Sequence, residues 1–112
     1  MTAPSSDSAA IRQTIRALKA AGVQLLEVQD GEEDVNVETA TEQEVIDAIT
    51  AVDDAFLIVR LPAPKAAGVT QVGSPRTSHI RFVMGNDPEE VICDHGVSLS
   101  PILDPLTEGW WA

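Results

Sequence analysis

The chain has 112 residues, with 44% hydrophobic and 22% charged residues, 18 acids against 7 Lys and Arg, and a formal net charge of −11. That is one foldable domain, and its sign argues against direct binding of nucleic acid or an anionic membrane, both of which need clustered cations. No apolar run approaches the roughly 20 residues of a bilayer span, Met1–Asp7 lacks the basic start and apolar stretch of a signal peptide, and the single cysteine, Cys93, leaves no internal disulfide or multi-cysteine zinc site.

Residues 1–6 are small and polar and are expected to be a flexible N-terminus. A first helix is predicted from Ser6 or Asp7, both good N-caps, with Ile11, Ile15 and Leu18 on one face and Gly22 closing it. Arg12, Arg16 and Lys19 form a basic stripe beside the apolar one. Val23–Val28 reads as a strand, Asp30-Gly31 as a turn, either tight or extended by Glu32-Glu33-Asp34 into a longer loop, and Val35 and Val37 as the alternating apolar positions of a short second strand.

Thr41-Glu42-Gln43-Glu44 fits a capping box opening a second helix, with Val45, Ala48, Ile49 and Val52 at helical spacing. The continuous apolar run Ala55–Val59 predicts a central strand over 55–61, with Phe56, Leu57, Ile58 and Val59 buried on both faces. Residues 62–76, rich in proline, glycine and alanine, predict a long loop. Ser78–Met84 and Glu90–Asp94, separated by Gly85-Asn86-Asp87-Pro88, predict a second hairpin. A last helix is expected from Ser98 or Ser100, short or kinked at Pro105 and ended by Gly109, leaving 110–112 as a C-terminal tail. The expected architecture is one α+β domain over residues 7–109, with a mostly antiparallel sheet of four or five strands packed against two or three helices.

Between Lys19 and Arg60 there is no Lys or Arg, yet the segment carries Glu27, Asp30, Glu32, Glu33, Asp34, Glu38, Glu42, Glu44, Asp47, Asp53 and Asp54. Such a block either forms a face that attracts a basic protein, as a nucleic-acid mimic would, or serves solubility alone. Glu32, Glu33, Asp34, Glu42, Glu44 and Asp47 are the candidate partner-binding acids. Trp110 and Trp111 are candidate anchors, with folding back onto the domain's own core as the alternative. The basic stripe either faces solvent over apolar stems or meets the acidic block of a second copy, making a homodimer.

Cys93, His95 and His79 are the only grouping with metal or nucleophile chemistry, and they fall short of a ligand set. Asp94, Glu89 and Glu90 make their surroundings negative, against an activated thiol. The expected state is a buried, inert Cys93 with two surface histidines. No phosphate-binding glycine loop, nucleophile elbow or calcium loop is present. No enzyme activity, cofactor or metal is expected.

The stretch from Phe82 through Gly85-Asn86-Asp87-Pro88-Glu89-Glu90 to Cys93-Asp94-His95, followed by Leu99 and Leu103, resembles the C-terminal half of small proteins carried by bacteriophages and prophages. Asp30-Gly31-Glu32-Glu33, the Thr41-capped acidic helix and Ala51-Val52-Asp53-Asp54-Ala55 extend the likeness over about residues 25–106. The resemblance contains no catalytic motif. It implies a small accessory protein made in the bacterial host cytoplasm, acting by binding a host protein. The expected function is therefore a non-enzymatic acidic binding protein that engages a basic host partner. The alternative is a small self-associating accessory domain whose acidity serves solubility.

Overall fold

Helix α1 (Asp7–Ala20) starts where a side chain can replace the missing helical acceptor: Ser6 Oγ accepts from the Ala9 backbone N–H. It ends in Gly22, whose φ of +81° suits a residue without a Cβ. The computed structural model describes residues 3–62 and 76–111, the side chain of Trp111 excepted. Within these residues the chain continues through β1 (Gln24–Gln29), β2 (Asp34–Asn36), α2 (Glu42–Thr50), β3 (Asp54–Arg60), β4 (Thr77–Val83), β5 (Ile92–His95) and α3 (Ser100–Trp111). Short 3-10 turns precede β5 and α3.

The five strands form one antiparallel sheet in the order β2-β1-β3-β4-β5. With three helices against it, this is the expected α+β domain. The register fixes which side chains share a face. Val28 pairs with Leu57, and Leu57 with Ile80; Val59 pairs with Leu25, and Ala55 with Phe82. These residues are all buried and join one core with Ala10, Ile11, Ile15 and Leu18 of α1, Val45, Ile46 and Ile49 of α2, and Leu103, Leu106 and Trp110 of α3. All three helices therefore contribute to the core on one face of the sheet. Thr14 is the one polar side chain buried among the described residues, and its hydroxyl donates to the Ala10 carbonyl.

Strand β3 is central, as its apolar run predicts, but its burial alternates. Leu57 and Val59 are fully buried, whereas Phe56 and Ile58 are only half-buried. The expectation of burial on both faces is corrected here: the core residues of the helices pack on one side only. In the first hairpin the longer of the two expected loops forms. Asp30 closes a four-residue loop, its carboxylate accepting from the N–H groups of Glu32 and Glu33 and its own N–H donating to the Glu33 carbonyl. Strand β2 is accordingly only three residues long.

Helix α3 runs through Pro105 and Gly109 to Trp111, so the backbone of the expected tail is helical up to that residue. Trp110 explains the extension. Its ring is buried and its Nε1–H donates to Gln13 Oε1 at 2.8 Å, tying the last turn to α1. At the other end Pro4 is buried and Ser6 caps α1, so the described part of residues 1–6 is tied to the domain. The ends of the 62–76 connection meet through the Leu61 N–H and the Arg76 carbonyl at 2.8 Å; residues 63–75 lie outside the described residues.

Candidate protein-interaction surface

The six candidate acids occupy two elements that start at opposite ends of the sheet. Gln29, at the end of β1, pairs with Phe56, so the Asp30–Asp34 loop lies at the same end as the start of β3. Helix α2 runs toward that start, and its nine residues place Glu42 about 14 Å away along the helix axis.

Glu42 is the most heavily used acid. Its carboxylate accepts from Arg12 Nη1 at 2.6 Å and from Arg16 Nε and Nη2 at 3.1 Å, while Arg12 Nη2 also reaches Gln43 Oε1. The Arg16 hydrogen bond, with that of Arg12, holds the Glu42 carboxyl below its ordinary value against a smaller opposing effect of burial. Most of the basic stripe expected to face solvent or a second copy thus clamps α1 to α2 within one chain. Glu44 is used too: it accepts from the Thr41 N–H while Thr41 Oγ1 accepts from the Glu44 N–H, completing the predicted capping box. These backbone and side-chain bonds lower its pKa. Asp47 accepts from Gln43 Nε2 at 2.8 Å.

Outside these six, Asp30 holds its loop and Asp54 binds Arg81 through two bonds of 2.6 and 3.0 Å. The loop N–H groups lower the Asp30 pKa, and the Arg81 guanidinium lowers that of Asp54. Glu32, Glu33 and Asp34 differ from all of these. They are exposed, and among the described residues their carboxylates have no hydrogen-bond or ion-pair partner. They stand consecutively at a turn whose shape Asp30 and Gly31 fix, with Gly31 at φ +96°. What distinguishes them from Glu42 is invisible in the sequence, because the arginines that take up Glu42 come from 26 and 30 residues away.

Trp110 belongs to the core and is not presented for docking. The two histidines and the cysteine do not converge. His79 pairs with Ile58, on the sheet face away from the helices, and its Nε2 lies 3.9 Å from Asp94. His95 pairs with Ile80, on the helix-covered face, with Nε2 3.7 Å from Asp104 and Nδ1 2.9 Å from the Gly96 carbonyl. Cys93 is exposed, correcting the expected burial. The register skips it, with Arg81 opposite Asp94 and Phe82 opposite Ile92, so it sits at a bulge out of the ladder. Cys93, Asp94, His95, Glu89 and Glu90 border a shallow groove of about 370 Å³. Among the described residues no three His, Cys, Asp or Glu side chains come together as a metal site, and no helix is long and apolar enough to cross a membrane.

No protein family, curated protein or solved structure matches the chain.

Proposed function

We propose that this is a non-enzymatic acidic binding protein, made in the bacterial cytoplasm from a phage or prophage, whose hairpin-loop carboxylates engage a basic host protein. The supporting observation is that Glu32, Glu33 and Asp34 are exposed together while neighbouring acids serve helix capping, turn formation or internal ion pairing. Three adjacent carboxylates in water each act weakly, but their summed field raises the encounter rate with a cationic surface and does so less at high salt. A second reading, a self-associating accessory domain whose acidity keeps it soluble, draws support from the internal roles of Asp30, Glu42, Glu44 and Asp54.

Affinity capture from a bacterial lysate at low and high salt, followed by association kinetics with the captured protein, separates the two. Glu32→Lys with Glu33→Lys is expected to leave the fold intact, to slow association about tenfold, and to flatten its salt dependence. If capture and salt response are unchanged by the double reversal, the loop is a solvated turn and the binding reading is wrong.

A further inference from the structure

We propose that the sheet face turned away from the helices is the self-complementary interface of a homodimer, covered by the same face of a second copy. The argument begins with β3. A strand with one face in solvent alternates apolar and polar residues, yet β3 places Phe56 and Ile58 on the face opposite Leu57 and Val59. Both stay half-buried, with no core residue of the helices on their side. Phe56 has the His79 ring 5.9 Å away at 51° and the Arg81 guanidinium 5.8 Å from its centroid.

The charges around this apolar centre are divided by strand. Following the register across the sheet, one row reads Asp34, Gln29, Phe56, Arg81, the next Asn36, Glu27, Ile58, His79, and the last Gln24, Arg60, Thr77. The β1–β2 half thus carries Glu27 and Asp34, and the β3–β4 half carries Arg60 and Arg81. A two-fold axis parallel to the strands and running between β1 and β3 lays β1 over β3 and β2 over β4 of the second copy. Asp34 then faces Arg81 of the second copy, Glu27 comes over Ile58 with Arg60 one row along, and the Phe56–Ile58 strips of both copies flank the axis. Asp54, at the end of the β3 row, is already paired with Arg81, whose Nη1 is not used in that pair. Asp94 lies on β5, outside the overlap.

Strands about 4.8 Å apart and rows about 7 Å apart give a face roughly 20 Å on a side. That is roughly 400 Å² per copy, about 800 Å² in all, below the stable specific interfaces and in the range of weak, reversible association. Twisted sheets stack face to face in just this manner, at about −30°.

Sedimentation velocity on the full chain, over about 1 µM to 0.2 mM, tests the proposal. The wild type is expected to show a monomer–dimer equilibrium. Ile58→Glu should weaken it at least about tenfold, because it sets a carboxylate against Glu27 of the second copy beside the axis. Glu27→Lys should weaken it, and adding Arg60→Glu should restore it, while circular dichroism shows each variant folded. A folded wild type that stays monomeric throughout, or a dimer that either Ile58→Glu or Glu27→Lys leaves intact, overturns the proposal. Glu32 and Glu33 lie outside the overlap, so the charge-reversal test of partner binding can fail or succeed independently.

Discussion

Gly96 shows how a single residue can be constrained by a neighbour distant in sequence. A Cβ added there would lie 1.9 Å from Ser78 Oγ and 3.3 Å from Ser78 Cβ, although the backbone at φ −62° accepts any side chain. The Gly96 N–H donates to the His79 carbonyl at 3.0 Å, so the chain is held close to β4 as it leaves β5. Gly96→Ala should therefore cost about 1 kcal/mol in chemical denaturation, through displaced Ser78. Ser78→Ala in the same chain should recover most of that, giving a coupling that a double-mutant cycle measures; two additive effects would rule out the close approach as the cause. None of this was legible in the sequence, because Ser78 lies 18 residues before Gly96. Caps and local turns were legible, because Ser6, Thr41, Glu44 and Asp30 bond to backbone only two or three residues away.

At the level of elements, the α1–α2 pair is joined by apolar contact beneath and by the Glu42 clamp above. The clamp is partly solvated, with side-chain exposures of 35% for Arg12, 67% for Arg16 and 24% for Glu42, which limits its value. Glu42→Gln should lower stability by about 1 kcal/mol at neutral pH. Because the folded-state pKa of Glu42 is depressed, the clamp is fully present above the ordinary carboxylate range and is lost as pH falls through the depressed value. Wild type and Glu42→Gln should therefore converge in urea midpoint on acidification; a gap that persists in strong acid would assign the effect to something other than ionisation. Helical periodicity announced all three helices, since Ile11, Ile15 and Leu18, Val45 and Ile49, and Leu99, Leu103 and Leu106 lie on buried faces. The bulge at Cys93 escaped notice. A one-residue slip in register changes which face a side chain occupies, and nothing local in Ile92-Cys93-Asp94-His95 signals it.

For the whole molecule, the α+β class followed from the order of elements and the central position of β3 from its apolar run, but neither told that the helices cover one face of the sheet. An apolar run predicts burial on both faces, but the helices cover only the face of Leu57 and Val59 and leave Phe56 and Ile58 half-buried. Glu32, Glu33 and Asp34 stand among the six candidate acids in the sequence, but nothing there separates them from Glu42, which arginines 26 and 30 residues away take up. The Trp110–Gln13 bond has a temporal meaning as well. It joins positions 97 residues apart, so the core beside the first helix is closed only when the last turn of α3 docks. Closing so large a loop is entropically late, whereas the β1–β2, β3–β4 and β4–β5 hairpins pair neighbours. Trp110→Ala should remove about 3 kcal/mol of stability, appearing almost wholly as faster unfolding with the refolding rate little changed; a matching slowdown of refolding in stopped-flow would place the docking of α3 in the nucleus instead. Until α3 docks, the inner surface of an otherwise paired sheet stays open, so the helix that carries Trp110 sets how long the folding protein remains adhesive.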